Sequence, residues 1–226
     1  MINKYELILL AAGKGERMCL PLNKIFYKFK KTGKMVIEHS LDVFLNDERC
    51  SKIVIVYNEN DRNIVDELVK KYKSNKIDIC TGGITRQDSI LNGLKLIDSD
   101  YVLVHDAARP NIKKELIDDI LLNLGSFDCC SCGVKVSDTI KKESNGKLET
   151  VDRESLYYVQ TPQGSDVKKL TEALDVVKRD KVIVTDDLQA FEYICNNRVK
   201  ITKGDKNNIK VTTKEDLVLL EYLLVN

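Results

Sequence analysis

The chain has 226 residues, 43% hydrophobic and 31% charged, with 36 Lys+Arg against 35 Asp+Glu and a net charge of +1. This length suits one domain with a full core, and the charge balance argues against a broad nucleic-acid-binding face while leaving room for a local cluster that grips a phosphorylated ligand. No apolar stretch approaches the roughly 20 residues that cross a bilayer, the opening carries no cleavable leader pattern, and 7 irregularly placed cysteines fit a reducing cytoplasm better than a disulfide framework.

The first apolar run, Tyr5–Ala11, reads as a strand and stops in "LILLAAGKGERM". A P-loop needs G-x-x-x-x-G-K followed by Ser or Thr. Here Lys14 precedes the second glycine, and neither Ser nor Thr follows. A dinucleotide fingerprint needs a third glycine where Met18 stands. What remains is A-A-G-x-G-x-R-M, whose backbone N–H groups and cations Lys14 and Arg17 suit phosphate oxygens. The competing reading is a plain strand-to-helix turn with solvated charges. Glu16 has a solvated or loop-capping role. Lys24 follows in "PLNKIFYKF", just before aromatic and apolar residues.

Helix and strand patterns then alternate: helix Val36–Leu45, strand Ile53–Tyr57, helix Arg62–Tyr72, strand Lys76–Cys80, helix Arg86–Ile97, strand Tyr101–His105, helix Lys113–Leu124 and strand Cys130–Val136. Residues 137–160 break the rhythm. Asn145-Gly146 amid polar alternation signals a two-residue hairpin, read as a protruding β-arm rather than a second domain. Helix Asp186–Cys195, strand Val199–Thr202 and helix Lys214–Val225 complete the chain. Cys129, Cys130 and Cys132 cluster, but the chain has only two histidines and no second C-x-x-C pair, so they read as small buried hydrophobes of a strand.

The alternation predicts an α/β fold, a three-layer sandwich around a mostly parallel central sheet. Ligands in such sheets sit beyond the carboxyl ends of the strands. The polar runs after Leu10, Cys80 and Val104 fall there. Asp106 ends "YVLVHD", and a carboxylate there suits Mg²⁺, which binds through few carboxylates plus substrate phosphates; the bland alternative is a turn cap.

The ordered series "AAGKGERM", a lysine, "GKMVIEHSL", "GGITRQDSILNGL", "VLVHDAARP", "SDTIK", "VDRESLYYVQTPQ", "VTDDLQAFE" and "NIKVTTKEDLVLLE" resembles the 2-C-methyl-D-erythritol 4-phosphate cytidylyltransferases over nearly the whole length. The resemblance implies a Rossmann-like single domain, 1–226, that transfers CMP from CTP to a polyol phosphate with Mg²⁺ or another divalent cation. A related class, the ribitol-5-phosphate cytidylyltransferases, tends to read HDAVRP; Ala108 and "VDRESLYY" favour the erythritol class. A non-catalytic nucleotide-binding protein on the same fold and a structural dimer built on the arm are the other readings. The intact charged set favours an enzyme.

Residue by residue, the resemblance implies that Ala11, Ala12, Gly13 and Gly15 cradle the nucleotide, with Asp106 and Ala107 also at it. Arg17 and Lys24 would hold the triphosphate and, with Arg153 and Lys210, serve catalysis. Gly83 and Ser89 would read cytosine, and Arg86 would shape their loop. Asp106, Arg109, Thr139, Arg153, Thr161, Thr185 and Lys210 would bind the methylerythritol phosphate, and Asp106 the metal. In the family the arginine matching Arg153 reaches into the partner's site, which implies a homodimer through the arm. Two positions depart from the family. Asn23 stands where it usually has proline, which would loosen the loop of Lys24. Asn207 stands where it often has aspartate, which removes a second carboxylate for the metal; Asp205 is nearby.

Overall fold

The computed structural model describes residues 2, 4–13, 23–194 and 198–225. Its strands are β1 (Tyr5–Ala11), β2 (Cys50–Tyr57), β3 (Ile77–Thr81), β4 (Tyr101–Asp106), β5 (Cys129–Lys135), β6 (Ile140–Ser144), β7 (Lys147–Val151), β8 (Tyr157–Asp166) and β9 (Val199–Lys203). Its α-helices are α1 (Val36–Leu45), α2 (Arg62–Tyr72), α3 (Arg86–Leu94), α4 (Lys114–Asn123), α5 (Val167–Arg179), α6 (Asp187–Tyr193) and α7 (Lys214–Leu223). The predicted end of the sixth helix at Cys195 lies outside the described residues.

Seven strands form one sheet in the order β3-β2-β1-β4-β8-β5-β9. All neighbours are parallel except β8, which runs antiparallel to both β4 and β5. Successive residues of a strand point to opposite faces, and β1 uses both. Leu7 and Leu9 pack with α1, α2, α4 and α7, whereas Ile8 packs with α3, α5 and α6. Both faces are therefore covered, which explains the unbroken apolar run. The three-layer α/β expectation holds.

β6 and β7 pair as a separate antiparallel hairpin. Asn145 and Gly146 both have positive φ, 51° and 73°, as a tight primed turn requires. The arm is shorter than the 137–160 expected from the sequence. Tyr157–Gln160 begin β8, the strand between β4 and β5 in the main sheet. β8 and α5 are elements that the alternation does not predict. α5 carries a legible stripe, Leu170, Ala173, Leu174 and Val177, all buried. β8 has none: its buried residues include Gln160, Thr161, Gln163 and Ser165, together with Pro162 and Gly164, and Pro and Gly argue against a central strand.

Cys129, Cys130 and Cys132 are buried and free. Burial pushes the Cys130 and Cys132 thiols up to about 12. Among the described residues no cluster of His, Cys, Asp or Glu is arranged to hold a metal by itself, and no helix is long and apolar enough to cross a membrane.

Candidate active site

A cleft of about 770 Å³ opens where β1 and β4 end and α3 begins. Of the residues predicted from sequence, Ala11, Ala12, Gly13, Lys24, Gly83, Ser89, Asp106 and Lys210 line it. Asn23, Asn58, Thr85, Arg86 and Ala108 line it too. Gly15 and Arg17, with Lys14, Glu16 and Met18, lie outside the described residues.

The wall after β3 is held rigidly. A Cβ on Gly82 would lie 2.4 Å from the Ala12 Cβ, and one on Gly83 would lie 2.2 Å from the Asp88 Cβ. Only glycine allows that approach. The Gly83 N–H donates to Ser89 Oγ at 3.0 Å, and the Ser89 hydroxyl donates to the Thr85 carbonyl at 3.0 Å. Thr85 caps α3 and shares a capping box with Asp88, which fixes the first turn of the helix.

Asp106 sits opposite, at the end of β4. Its Oδ2 accepts from Lys210 Nζ at 2.6 Å, and Arg109 Nε lies 3.9 Å from the same oxygen. Burial alone would raise the Asp106 pKa; Lys210, Arg86 and Arg109 outweigh it and hold the carboxyl well below the usual range. The carboxylate therefore stays ionised at any physiological pH.

A buried relay fixes the strand end. The Asp106 N–H donates to Thr161 Oγ1 at 3.0 Å, and Thr161 Oγ1 lies 3.0 Å from His105 Nδ1. His105 Nε2 lies 3.1 Å from the Arg109 carbonyl. A carbonyl only accepts, so Nε2 carries the proton and Nδ1 accepts from the Thr161 hydroxyl. Burial drives the His105 pKa down to about 4 and keeps the ring neutral. Thr161 is thereby occupied inside the protein. Lys210 is presented by a second clamp. The Asn208 amide donates to the Thr161 carbonyl at 2.9 Å, Arg109 Nη1 donates to the Asn208 carbonyl at 2.8 Å, and the Val211 N–H donates to the Ala108 carbonyl at 2.8 Å.

Arg86 leans on the cleft from α3 and pairs with Asp187, the first residue of α6. Asp187 is 1% exposed; burial raises its pKa, and Arg86 opposes that shift. The pair ties the "GGITRQ" loop to the "VTDD" segment. Asp205 is engaged elsewhere: Lys113 Nζ lies 2.8 Å from Oδ2, and the Asn207 N–H donates to Oδ1 at 2.8 Å.

The remaining predicted residues do not line the cleft. Ala107 is buried, and its N–H donates to the Leu10 carbonyl at 3.0 Å. Thr185 is exposed and bonds Gln189. Thr139 is exposed at the base of the arm. Arg153 stands in the turn after β7, with Nη1 donating to the Ser137 carbonyl at 2.7 Å. Sequence reading passed over His105, Gln160 and Asn208 as separate contributors. They sit inside motifs that it quoted, but nothing in their identity marks them as buried polar braces.

The family model described as "IspD: 2-C-methyl-D-erythritol 4-phosphate cytidylyltransferase" matches residues 5–226. The chain is 40% identical to the 2-C-methyl-D-erythritol 4-phosphate cytidylyltransferase of Bacillus mycoides (strain KBAB4), over 97% of each chain. It is 39% identical to that of Geobacillus kaustophilus (strain HTA426), over 98% of this chain and 97% of the relative. The crystal structure of a 4-diphosphocytidyl-2C-methyl-D-erythritol synthase from Anaerococcus prevotii DSM 20548 superposes with a TM-score of 0.86 at 30% identity, covering 99% of this chain and 100% of the other.

Proposed function

We propose that the cleft at the carboxyl ends of β1 and β4 is the catalytic centre of this chain, which belongs to the 2-C-methyl-D-erythritol 4-phosphate cytidylyltransferase family. The reaction transfers CMP from CTP to 2-C-methyl-D-erythritol 4-phosphate in isoprenoid precursor biosynthesis, giving 4-diphosphocytidyl-2-C-methyl-D-erythritol and pyrophosphate. A phosphate oxygen of the polyol attacks the α-phosphorus of CTP, and the bond to the β-phosphate oxygen breaks. The nucleophile is already an anion, so no strong base is required. The demand is for fixed positive charge where two polyanions meet.

The single observation that carries the site assignment is the Lys210–Asp106 pair facing Gly13, just past β1, and Gly83, just before α3, across one cleft. In this reading Ala11, Ala12 and Gly13 offer backbone to the nucleotide, and Gly83 and Ser89 form the base-reading wall. Lys24 and Lys210 stabilise the charge that builds up on the phosphates; Gly15 and Arg17 keep the nucleotide and triphosphate roles that the family resemblance implies. Thr161 acts by orienting Asp106, and Arg109 by bracing the Asn208 segment. Arg153, Thr139 and Thr185, which stand outside this chain's cleft, keep the polyol-phosphate roles that the family resemblance implies, Arg153 toward the site of a second copy.

Asp106 is the carboxylate that would hold Mg²⁺. Its ionised state and its place in the cleft fit a cation that takes most of its other ligands from phosphates and water. Bound there, the ion would neutralise phosphate charge. Leu148 on the arm is 68% exposed, and Tyr157 and Tyr158 at the start of β8 are 40% and 50% exposed. Burying them against a second copy supports a homodimer through the arm. The free cysteines support a reducing, cytoplasmic setting.

The test is pyrophosphate release from CTP with each of two polyol phosphates. Release with methylerythritol phosphate and not with ribitol 5-phosphate is the expected result. Turnover confined to ribitol 5-phosphate would overturn the substrate assignment, and silence with both, in folded protein, would favour a nucleotide-binding role.

A further inference from the structure

We propose that Asn23 is a positioning residue for CTP: its side-chain amide staples Gly13, just past the end of β1, to the turn that carries Lys24. This rests on reading Lys24 as a triphosphate-holding group. Asn23 Nδ2 donates to the Gly13 carbonyl at 2.7 Å and to Asp61 Oδ2 at 3.1 Å, while Oδ1 accepts from the Ile25 N–H at 3.4 Å. Two acceptors face Nδ2 and one donor faces Oδ1, so only this orientation of the amide satisfies all three. Three segments converge on one side chain. Gly13, two residues past the end of β1, supplies the carbonyl. The 3-10 turn Lys24–Phe26 begins at its cap. The β2–α2 connection, whose Asn58 also lines the cleft, contributes Asp61.

The staple matters because of what it joins. Gly13 and Lys24 both line the cleft but come from opposite ends of residues 14–22. The buried Ile25 and Phe26 hold the turn against the core that also takes in Ala11 of β1. Asn23 adds a direct tie from the turn to Gly13, and Asp61 fixes both to α2. A proline at this position could not make any of the three contacts, since it carries no polar side chain. The expectation that Asn23 loosens the Lys24 loop is therefore reversed: here the side chain supplies the restraint.

The backbone at Asn23 has φ −57°, within the range that proline adopts. Asn23→Pro therefore removes the hydrogen bonds while fixing the local φ, and Asn23→Ala removes the hydrogen bonds without fixing φ. CTP affinity is read directly by calorimetry in the absence of the polyol, beside steady-state constants for both substrates and the melting temperature. Loss of two or three such contacts predicts a CTP Kd weakened about tenfold in both variants, with the polyol KM within about twofold of wild type. Asp61→Ala, which removes one contact, should weaken CTP about threefold. Lys24→Ala is the control for the underlying reading and should weaken CTP in its own right.

A CTP Kd unchanged in Asn23→Pro overturns the staple. So does a parallel rise in both substrates' KM that tracks a fall in melting temperature, because that pattern marks general loosening. If Lys24→Ala leaves CTP binding untouched, the phosphate-holding role of Lys24 fails instead, which separates the two failures.

Discussion

Replacing Asp106 by Asn tests the electrostatic design at its centre. The change keeps the shape and removes one negative charge from among Lys210, Arg109 and Arg86. At 2.6 Å and an effective dielectric of about 20, the gross attraction between Asp106 and Lys210 is about 6 kcal/mol. Lys210 is 40% exposed and can turn to water, which screens much of that figure. Arg109 cannot turn out as easily: its side chain is 12% exposed, and its Nε has no hydrogen-bond partner. A coupling of about 1–3 kcal/mol between positions 106 and 210 is therefore expected from a double-mutant cycle with Lys210→Met, read by urea unfolding. The native carboxyl lies below its unfolded value, so this stability is present above about pH 4 and is lost as pH falls through the folded pKa. The deficit of Asp106→Asn should accordingly stay constant from neutral pH to about pH 5 and shrink below about pH 4. Pyrophosphate release should fall by about a thousandfold or more, because both the ionised carboxylate and the placement of Lys210 are lost. A coupling under about 0.5 kcal/mol together with near-wild-type turnover would refute the arrangement.

Arg86→Met should leave Asp187 buried without its cation and lower stability by about 3–5 kcal/mol, a fall in melting temperature of about 6–20 °C. Asp187→Asn removes the buried charge, keeps an acceptor and should lose less than half as much; equal losses would show that packing, not charge, governs the pair. His105 stays neutral in the native state down to about pH 4, while the unfolded chain takes up its proton near the ordinary value of 6.5. Stability should therefore decline as pH drops through that window, with His105 contributing on the order of 3 kcal/mol by its lower end. His39, whose pKa is also lowered by burial, acts in the same direction, so the measured quantity is the difference in slope between wild type and His105→Gln. Identical slopes would refute the assignment. Deleting the hairpin residues 141–150 should yield a folded monomer by size-exclusion chromatography, and a surviving dimer would place the interface elsewhere.

The elements that were legible in the sequence are those whose burial is apolar. β1, β2 and β4 announce themselves because both their faces are covered. α1 and α2 keep the predicted ends, and the Asn145-Gly146 turn is where its dipeptide places it. The cleft was legible too, since eight of the predicted residues line it. What escaped was β8, although it lies between β4 and β5 and completes the sheet. α5 escaped with it, because an unrecognised strand left its stripe of Leu170, Ala173, Leu174 and Val177 without a place in the alternation.

The concealment of β8 follows from its role. A strand inside a sheet normally satisfies its backbone through the ladder and its side chains through apolar packing. β8 buries polar side chains instead, and those of Gln160, Thr161 and Gln163 are hydrogen-bonded. Ser131 donates to the Gln160 carbonyl at 2.8 Å, the Gln160 amide donates to the Asp205 carbonyl at 2.8 Å, and Gln163 Oε1 accepts from the Asp187 N–H at 2.9 Å. Thr161 holds Asp106. These bonds run outward from one strand to the segment that carries Lys210, to the helix that pairs with Arg86, and to the strand end that carries the carboxylate. Unsatisfied, such a network would be costly; satisfied, it specifies one arrangement. An apolar β8 would pack as well but would lack the bonds that tie the end of β4, the segment before Lys210 and the start of α6 to one strand. The polar composition that hides the strand in the sequence is thus the feature that fixes the charged groups relative to one another.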